Sequence, residues 1–409
     1  MSRTFAIGAL ALLGCTGELR FDDAAVASMD AAAPPGADAG AIDASERDGG
    51  PPPPLDAGAC AGGLAAGFTS SPIRGLGASD GVHAAATPSG LVVATSGGGV
   101  TLTWVGLDGA SAGTATVDGN RAWGVAADGS GAAGVLVDRG SDELWLVVVE
   151  PGGAERFAHR LLGGVPHDVT ENEWFGTGIR AGRVTWTGSQ WATYHTVQRL
   201  WNDGVAHYGD TLRFFDASGA PAGGGWGWGC SHSMEVRIVQ GASGIGPLCV
   251  SDCFPGKGVY FSHRTELFED PSGDCRGRVD TRLGGIAPVA GGFLAAFSTP
   301  HGRASRDVAL VRVGDDRSVS APVWVTDAAG DDADVHLAAF AGGALVGWTA
   351  GGADRLARVD AAGVLVEGPV DLPAGLARAS DFVPLPGGAV AWVTTMGSSL
   401  AIAHLRVCE

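Results

Sequence analysis

The stretch GGGWGWGCSHSM, residues 223–234, places indole, thiol and imidazole side chains side by side in the middle of the chain. Trp226 and Trp228 offer large apolar ring faces, which can stack on a sugar ring or on a side chain of another protein. Cys230 and His232 follow at once, and zinc accepts thiolate and imidazole ligands together. The glycines leave the backbone free either to present these groups or to pack them away. The segment therefore predicts a binding site or a wedge of packing.

Disulfides are the favoured role of the cysteines in this region. Apart from three cysteines nearer the chain ends, the sequence contains Cys230, Cys249, Cys253 and Cys275. An even number of cysteines in an oxidising compartment favours two disulfides, with three connectivities open. The alternative is a zinc site completed by His232 or His263, but three residues separate Cys249 from Cys253 where a zinc knuckle usually has two. We therefore predict no metal here.

The tryptophans of this region lie in long connections between predicted strands. Trp174 belongs to the segment 163–182 and Trp201 to the segment 198–207, while Trp226 and Trp228 belong to the glycine-rich stretch. Long loops cost entropy and often carry function. We predict that these four tryptophans form a ligand-binding face. The alternative is that they pack on one another to bury the loops.

Histidines and aspartates supply a weaker set of catalytic candidates. Several predicted strands begin with such residues, and the candidates are His83, His232, His336 and Asp334. If they converge, imidazole and carboxylate groups could perform acid–base chemistry. The segment DAAGDDAD, residues 327–334, contains four aspartates, and calcium could use their oxygens. The spacing of an EF-hand loop is absent, so a solvated acidic loop is favoured and no cofactor is predicted.

A repeated strand pattern must position all of these residues. A glycine turn followed by a small, very apolar strand recurs seven times at intervals of 39 to 59 residues, as in PSGLVVATS, AGGFLAAFS and AGGALVGWT. The anchoring glycines are Gly90, Gly129, Gly188, Gly241, Gly292, Gly343 and Gly388. Other short strands flank each turn, and three or four antiparallel strands per unit are typical of a propeller blade. In this pattern the chain resembles β-propellers, although no particular propeller family is recognised.

The fold predicted for residues 60–409 is thus all-β, a seven-bladed β-propeller. Gly241 is the weakest anchor, so six blades remain an alternative, as do tandem β-sandwiches. Propellers commonly complete their last blade with an N-terminal strand, which here would come from about residues 62–74. That closure would bring Cys60 and Cys408 together, and we predict a disulfide between them, stabilising the fold by about 2–5 kcal/mol.

The N-terminus indicates export and lipidation. Arg3 precedes the apolar run FAIGALALLG, which is too short to span a bilayer and ends in LLGC at Cys15. This resembles the lipobox of bacterial lipoprotein signal peptides, and the resemblance implies cleavage of residues 1–15 before Cys15 and acylation of that cysteine. Thr16 is not an acidic retention signal, which points to the outer membrane, on its periplasmic or surface side. An ordinary secretory signal with an incidental cysteine is the alternative.

A tether and a charge balance complete the prediction. Residues 16–59 are rich in Ala, Asp, Pro and Gly and contain too few large apolar residues to form a core, so we expect a disordered spacer. The net charge is −18 with no basic patch, which excludes nucleic acid as an expected partner. We expect a monomeric, membrane-anchored binding or scaffold lipoprotein whose Trp-bearing face holds a glycan or a protein. The alternative is a polysaccharide hydrolase or lyase with an axial His/Asp site.

Overall fold

The computed structural model describes residues 63–79, 81–140, 142–163, 173–176, 180–201, 204–232, 235–271, 279–373 and 375–406. These residues belong to one compact unit, Ala57–Glu409. Cys15, the tether 16–59 and the cysteines Cys60, Cys275 and Cys408 lie outside them. Across the described part of the chain, no helix is long and apolar enough to cross a membrane.

The described residues form seven antiparallel sheets, and each sheet is one blade of a propeller. The prediction of seven blades is confirmed, and the alternatives of six blades or tandem sandwiches are excluded. Blades 1 and 2 comprise β2 (Gly81–Thr87), β3 (Gly90–Ser96), β4 (Val100–Val105) and β5 (Ser111–Val117), then β6 (Arg121–Ala127), β7 (Ala133–Arg139), β8 (Glu143–Val149) and β9 (Glu155–Leu162). Blade 3 comprises β10 (Glu173–Trp174), β11 (Gly182–Trp186), β12 (Gln190–Leu200), β13 (Ala206–Asp216) and β14 (Pro221–Trp226).

The remaining blades follow the same order. Blades 4 and 5 comprise β15 (Val236–Gly241), β16 (Gly244–Ser251), β17 (Gly258–Phe261) and β18 (Thr265–Glu269), then β19 (Arg282–Val289), β20 (Gly292–Thr299), β21 (Asp307–Gly314) and β22 (Val323–Trp324). Blade 6 comprises β23 (Asp332–Phe340), β24 (Gly343–Ala350), β25 (Ala353–Val359) and β26 (Leu365–Asp371). Blade 7 comprises β27 (Val383–Pro384), β28 (Val390–Met396), β29 (Ser399–Leu405) and the N-terminal β1 (Phe68–Gly77).

The N-terminal strand closes the ring, as the sequence predicts. β1 pairs antiparallel with β29 from Phe68 opposite Leu405 onward, and so becomes the outermost strand of blade 7. The Arg406 backbone N–H donates to the Gly67 carbonyl at 3.3 Å, which extends this pairing by one residue on each side. The Cys60–Cys408 disulfide stays a prediction, because both cysteines lie outside the described residues.

Some of the repeat glycines have a clear steric reason. Gly90 and Gly292 each begin the second strand of a blade with φ 148°, a conformation that L side chains rarely adopt. A Cβ at Gly90 would collide with the Val105 carbonyl of the third strand, and one at Gly292 would collide with the Val313 carbonyl. The turn glycine therefore lets the second and third strands of the blade approach each other.

Small inner residues and apolar inter-blade layers hold the blades around the axis. A Cβ at Gly124 of β6 would lie only 3.0 Å from the Arg183 Cα of β11, so this glycine lets the innermost strands of blades 2 and 3 pack closely. Between blades 4 and 5, the rings of Phe261 and Phe293 lie 5.4 Å apart within a continuous buried cluster. Burying such large side chains is the main stabilisation of each blade contact.

An aspartate near the start of the third strand links several blades to the next. In blades 3, 5 and 6 its carboxylate accepts a backbone N–H from the crossover that follows. The pairs are Asp210 with Cys230, Asp307 with Ala328 and Asp354 with Arg378, each at 3.1 Å. This repeated device satisfies crossover backbone groups that would otherwise lack partners.

Candidate functional site

The β12–β13 hairpin of blade 3 ends in an exposed apolar tip. Leu200 is 41% exposed, Trp201 39% and Val205 50%, and we call these three residues the blade-3 tip. The turn is closed by backbone hydrogen bonds between Trp201 and Val205 at 3.0 Å and between Gly204 and Trp201 at 2.9 Å. These exposed apolar side chains lie together at the end of one hairpin, and such a group is a candidate contact site.

Trp228 supports the tip from below. Its ring packs edge-to-face against Trp201 with centroids 5.3 Å apart, and the Arg199 guanidinium lies over it at 5.3 Å. A Cβ at Gly209 would lie 2.6 Å from the Trp228 ring, so only glycine leaves room there for the indole to pack against the backbone. Trp228 is half-buried in this arrangement. The exposed Trp201 ring therefore stands on a preformed base.

The Glu173 carboxylate holds together the residues that support the blade-3 tip. Glu173 of the short strand β10 pairs with Arg199 through one oxygen and with Arg213 through the other, the latter at 2.7 Å. The Arg199 guanidinium also donates to the Gly227 carbonyl at 3.1 Å. Both arginines belong to the hairpin, so these contacts tie β10 and the glycine-rich stretch to it. Such pre-ordering reduces the entropy lost when a partner binds.

Trp226 has a different environment from Trp201. Its Nε1–H donates to Asp210 at 3.0 Å, and its ring contacts Tyr194 edge-to-face at 5.6 Å and His263 at 4.3 Å. Burial lowers the pKa of His263 to about 4, so the imidazole beside Trp226 is neutral at pH 7. Trp226 is half-buried and engaged in these contacts, which are typical of a packing role.

Asp210 is the centre of a buried polar node. It accepts hydrogen bonds from the Tyr194 hydroxyl at 2.9 Å, the Trp226 indole at 3.0 Å and the Cys230 backbone at 3.1 Å. Burial nevertheless raises the pKa of Asp210 to about 7, because these donors only partly replace lost hydration. Burial and the neighbouring Asp210 raise the pKa of Tyr194 well above its ordinary value.

One disulfide stands beside this node. Cys230 and Cys249 are bonded to each other, which selects among the connectivities left open by the sequence. Their sulfurs and the Asp210 carboxylate lie within 4.8 Å of one another, but disulfide sulfurs are not thiolate ligands. Cys253 is disulfide-bonded as well. The Cys230–Cys249 bond pins the glycine-rich stretch to the second strand of blade 4.

Trp174 and His232 take other positions. Trp174 is only 9% exposed and lies next to the fully buried Phe175. His232 contacts Asp252 through Nδ1 at 3.0 Å, and the hydrogen bond to Asp252 raises the pKa of this imidazole. Of the four predicted ligand-binding tryptophans, Trp201 therefore has the most exposed ring. Ligand binding by Trp174, Trp201, Trp226 and Trp228 stays a prediction.

A second candidate region lies on the propeller axis. The first strands of the blades run in the same direction, so residues near their starts meet at one end of the axial cavity. That end carries Arg183, Arg237, His336 and Asp381, and the next residues along these strands are mostly apolar. The cavity has a volume of about 180 Å³.

Asp381 joins three blades through an ion network. One oxygen accepts from Arg183 at 3.1 Å, and the other contacts His336 Nδ1 at 2.8 Å. Burial alone would raise the pKa of Asp381, but Arg183, Arg237 and His336 outweigh it and hold the pKa well below its usual range. His336 Nε2 contacts Asp334 at 3.1 Å, and this hydrogen bond lowers the pKa of Asp334. Both His336 nitrogens are therefore already bound to carboxylates.

The other axial candidates converge only in part. His83 Nε2–H donates to the Ala122 carbonyl, 3.1 Å away, and the ring is within electrostatic range of Arg183 and Asp381. Burial and Arg183 lower the pKa of His83 to about 4, so it is neutral at pH 7. His232 does not line the axial cavity. The structure thus brings His336 and Asp334 into contact, places His83 nearby and leaves His232 between blades 3 and 4.

Arg183 and Arg237 were not among the residues predicted from the sequence. Each is the second residue of a first strand, in GRVTW and VRIVQ, and this shared offset is the signal that could have revealed them. Nothing local distinguishes them from surface arginines, because they come together only when blades 3 and 4 pack side by side.

The four aspartates of the acidic segment 327–334 lie in different environments. Asp327 pairs with Arg303 at 2.8 Å, and Asp331 accepts the Arg306 backbone N–H at 2.9 Å. Asp332 is buried, and Asp334 belongs to the axial network. All four lie in the described part of the chain, and no three of their carboxylates come within 4.8 Å of one another.

Comparison with known proteins finds resemblance at the level of the fold. No protein-family model and no curated protein matches the sequence. The Dos1 propeller is 11% identical, with 78% of each chain covered and a TM-score of 0.42. The WD40 β-propeller domain of Doa1 is 13% identical, with 82% of this chain and 97% of that chain covered and a TM-score of 0.45. An α-L-arabinanase from Penicillium chrysogenum, complexed with arabinobiose, is 9% identical, with 83% of this chain and 98% of that chain covered and a TM-score of 0.44. These likenesses concern the fold alone.

Proposed function

We propose that this protein is an extracytoplasmic, lipid-anchored binding protein that holds a protein partner through the blade-3 tip. The observation that carries the proposal is the exposure of Leu200, Trp201 and Val205 together at the end of one hairpin. Contact sites are commonly built around such an aromatic anchor with apolar neighbours. The lipobox at Cys15 supports anchoring at the outer membrane, and the segment 16–59 would hold the propeller away from the lipid surface.

The chemistry of the tip favours a protein over a glycan. Among the described residues of the turn, Leu200 and Val205 offer aliphatic surface beside the Trp201 ring, and such surface packs on apolar side chains of a partner protein. Trp201 packs over Trp228, and Arg199 beneath is paired with Glu173. An apolar segment of a partner protein would match this surface better.

The axial residues speak against the alternative, a hydrolase or lyase acting on polysaccharide. A general acid or base needs a nitrogen or oxygen free to exchange a proton with the substrate. His336 contacts a carboxylate through each ring nitrogen, and the pKa of His83, lowered to about 4, makes it a poor base at pH 7. This arrangement suits structural bracing of blades 3, 6 and 7.

Site-specific photo-crosslinking in the producing organism tests the proposal. The crosslinking amino acid replaces Val205 in the full chain, and a matched control replaces Val319, which is 38% exposed in blade 5 between two serines. We expect a discrete protein adduct from Val205 that Val319 does not give. Equal adducts at both positions, no adduct from Val205, or an adduct destroyed by periodate oxidation of sugars would each contradict a protein partner at the tip.

A further inference from the structure

The axial cavity is amphipathic along its length. On the first strand of blade 4, Arg237 is followed by Ile238 and Val239, and on that of blade 6, His336 is followed by Leu337 and Ala338. Since these strands run in parallel around the axis, the charged residues form one end of the cavity and the apolar residues form the adjoining wall. A ligand with a charged head and a short apolar body matches this division.

Arg183 and Arg237, at the charged end of the cavity, have N–H donors that make no hydrogen bond to the described residues. Arg237 contacts only the carbonyl of its own neighbour, Val236, at 3.0 Å, so most of its five donors are unspent among the residues that the structure describes. Arg183 donates to backbone carbonyls and to Asp381, but its Nε–H is buried and has no partner in the described part of the chain. Unsatisfied buried donors are costly, and a bound acceptor would relieve that cost.

The nearby carboxylate does not fill this capacity. Asp381 has both oxygens engaged, one by Arg183 and the other by His336. Glu235 accepts the Leu283 backbone N–H at 2.6 Å. The two arginines are close enough that the positive charge of Arg237 contributes to lowering the pKa of Arg183, although burial is the larger cause. Arg183 and Arg237 therefore line one cavity together with Asp381, whose carboxylate contacts Arg183 and His336.

We infer that the axial cavity binds a small aliphatic carboxylate, with its carboxylate group against Arg237 and Arg183 and its chain along Ile238 and Leu337. The planar fork of a guanidinium matches a carboxylate in a two-bond geometry. The cavity volume of about 180 Å³ lies below the roughly 300–1,000 Å³ of pockets for drug-sized ligands, so the ligand is short. This site is separate from the blade-3 tip and does not depend on its function.

Calorimetric titration of the full chain with defined probes tests the inference. Hexanoate is the principal probe, and hexanamide, hexylammonium and inorganic phosphate are the controls for charge and shape. We expect saturable binding of hexanoate at one site and none of hexanamide or hexylammonium. Stronger binding of hexylammonium or phosphate, or equal binding of hexanamide, would overturn the inference, as would failure of hexanoate to bind.

Variants distinguish the proposed contacts from a general loss of structure. Arg237→Gln should weaken hexanoate binding about tenfold to a hundredfold, as expected for loss of a charged hydrogen bond. Arg121→Gln is the matched control, since Arg121 begins the first strand of blade 2 but does not line the cavity. An equal loss of hexanoate affinity in Arg237→Gln and Arg121→Gln would contradict the assignment of Arg237 as a contact of the carboxylate.

A second variant keeps the test decisive if Arg237→Gln fails to fold. Ala84 lines the cavity one residue beyond His83, so Ala84→Leu would occupy space near the apolar wall. We expect Ala84→Leu to abolish hexanoate binding while acetate binding persists. Unchanged hexanoate affinity in Ala84→Leu would place the ligand elsewhere and overturn the inference.

Discussion

Replacing Asp210 with asparagine should remove a pH dependence of stability that this buried carboxylate imposes on blades 3 and 4. Burial raises the pKa of Asp210 to about 7 in the folded protein, against 3.8 for the unperturbed group. Between these values the folded state holds a proton that the unfolded state has released. The contribution to the free energy of unfolding is therefore fully present below about pH 4 and is lost as the pH rises through about 7.

The magnitude follows from the size of the shift. A difference of about three pKa units at about 1.4 kcal/mol per unit corresponds to about 4 kcal/mol. Asp210 is completely buried, so solvent screening does not reduce this figure appreciably. The asparagine side chain of the Asp210→Asn variant carries no charge at any pH, so the stability of that variant lacks this slope. Relative to the variant, the wild-type protein should lose about 4 kcal/mol between about pH 4 and about pH 8.

Urea unfolding of both proteins across this pH range measures the difference, because titration of all other groups cancels in the comparison. Asp216→Asn is the control. The Ser218 hydroxyl and turn backbone N–H groups lower the pKa of Asp216, so the stability of the wild type relative to Asp216→Asn should rise with pH. A wild-type minus Asp210→Asn difference that stays flat with pH would refute the reasoning. It would mean that the three donors to Asp210 fully offset its burial.

Three further predictions concern other parts of the chain. Trp226→Ala should destabilise the fold by about 3 kcal/mol, because it removes a packed ring and a hydrogen bond to the buried node. Trp201→Ala should cost less, because the Trp201 ring is 39% exposed. Urea midpoints compare the two variants, and equal effects would contradict the different environments of the two rings. Gly292→Ala should lower the free energy of unfolding by more than about 2 kcal/mol, because the new Cβ would strain the backbone and collide with the Val313 carbonyl. Gly129→Ala, in open space at ordinary φ, should be nearly neutral in the same assay. A neutral Gly292→Ala would refute the steric account. Cys15→Ala should abolish incorporation of a labelled fatty acid in a bacterial host, and retained label would contradict lipidation at that cysteine.

The repeat architecture could be predicted because its causes are local. Gly90 and Gly292 mark strand starts where φ is positive and another strand's carbonyl crowds the position of Cβ, so the same residue type recurs for the same steric reason. The closing strand was also predictable, since the last blade lacked an outer strand. The predicted strand at 62–74 is observed at Phe68–Gly77, which is a shift in its bounds and not in its role.

The candidate sites were less predictable because their contacts join distant positions. Sequence alone does not show that Asp210 binds the Trp226 indole 16 residues away, or that Trp201 stays exposed while resting on Trp228. Arg183 is likewise brought to Asp381, 198 residues away, only by closure of the ring. Residue types suggested where chemistry could occur, but exposure and pairing depend on the tertiary structure.

The most direct test of the proposed function is the effect of Trp201→Ala on the photo-crosslinked adduct formed from position 205. The Trp201 ring is 39% exposed, and the hydrogen bonds that close the turn use its backbone, so Trp201→Ala removes the anchor of the blade-3 tip and retains those hydrogen-bonding groups. We predict that the protein adduct disappears in Trp201→Ala while the abundance of the chain is unchanged. An adduct that persists at full yield without the Trp201 ring would contradict binding through this tip.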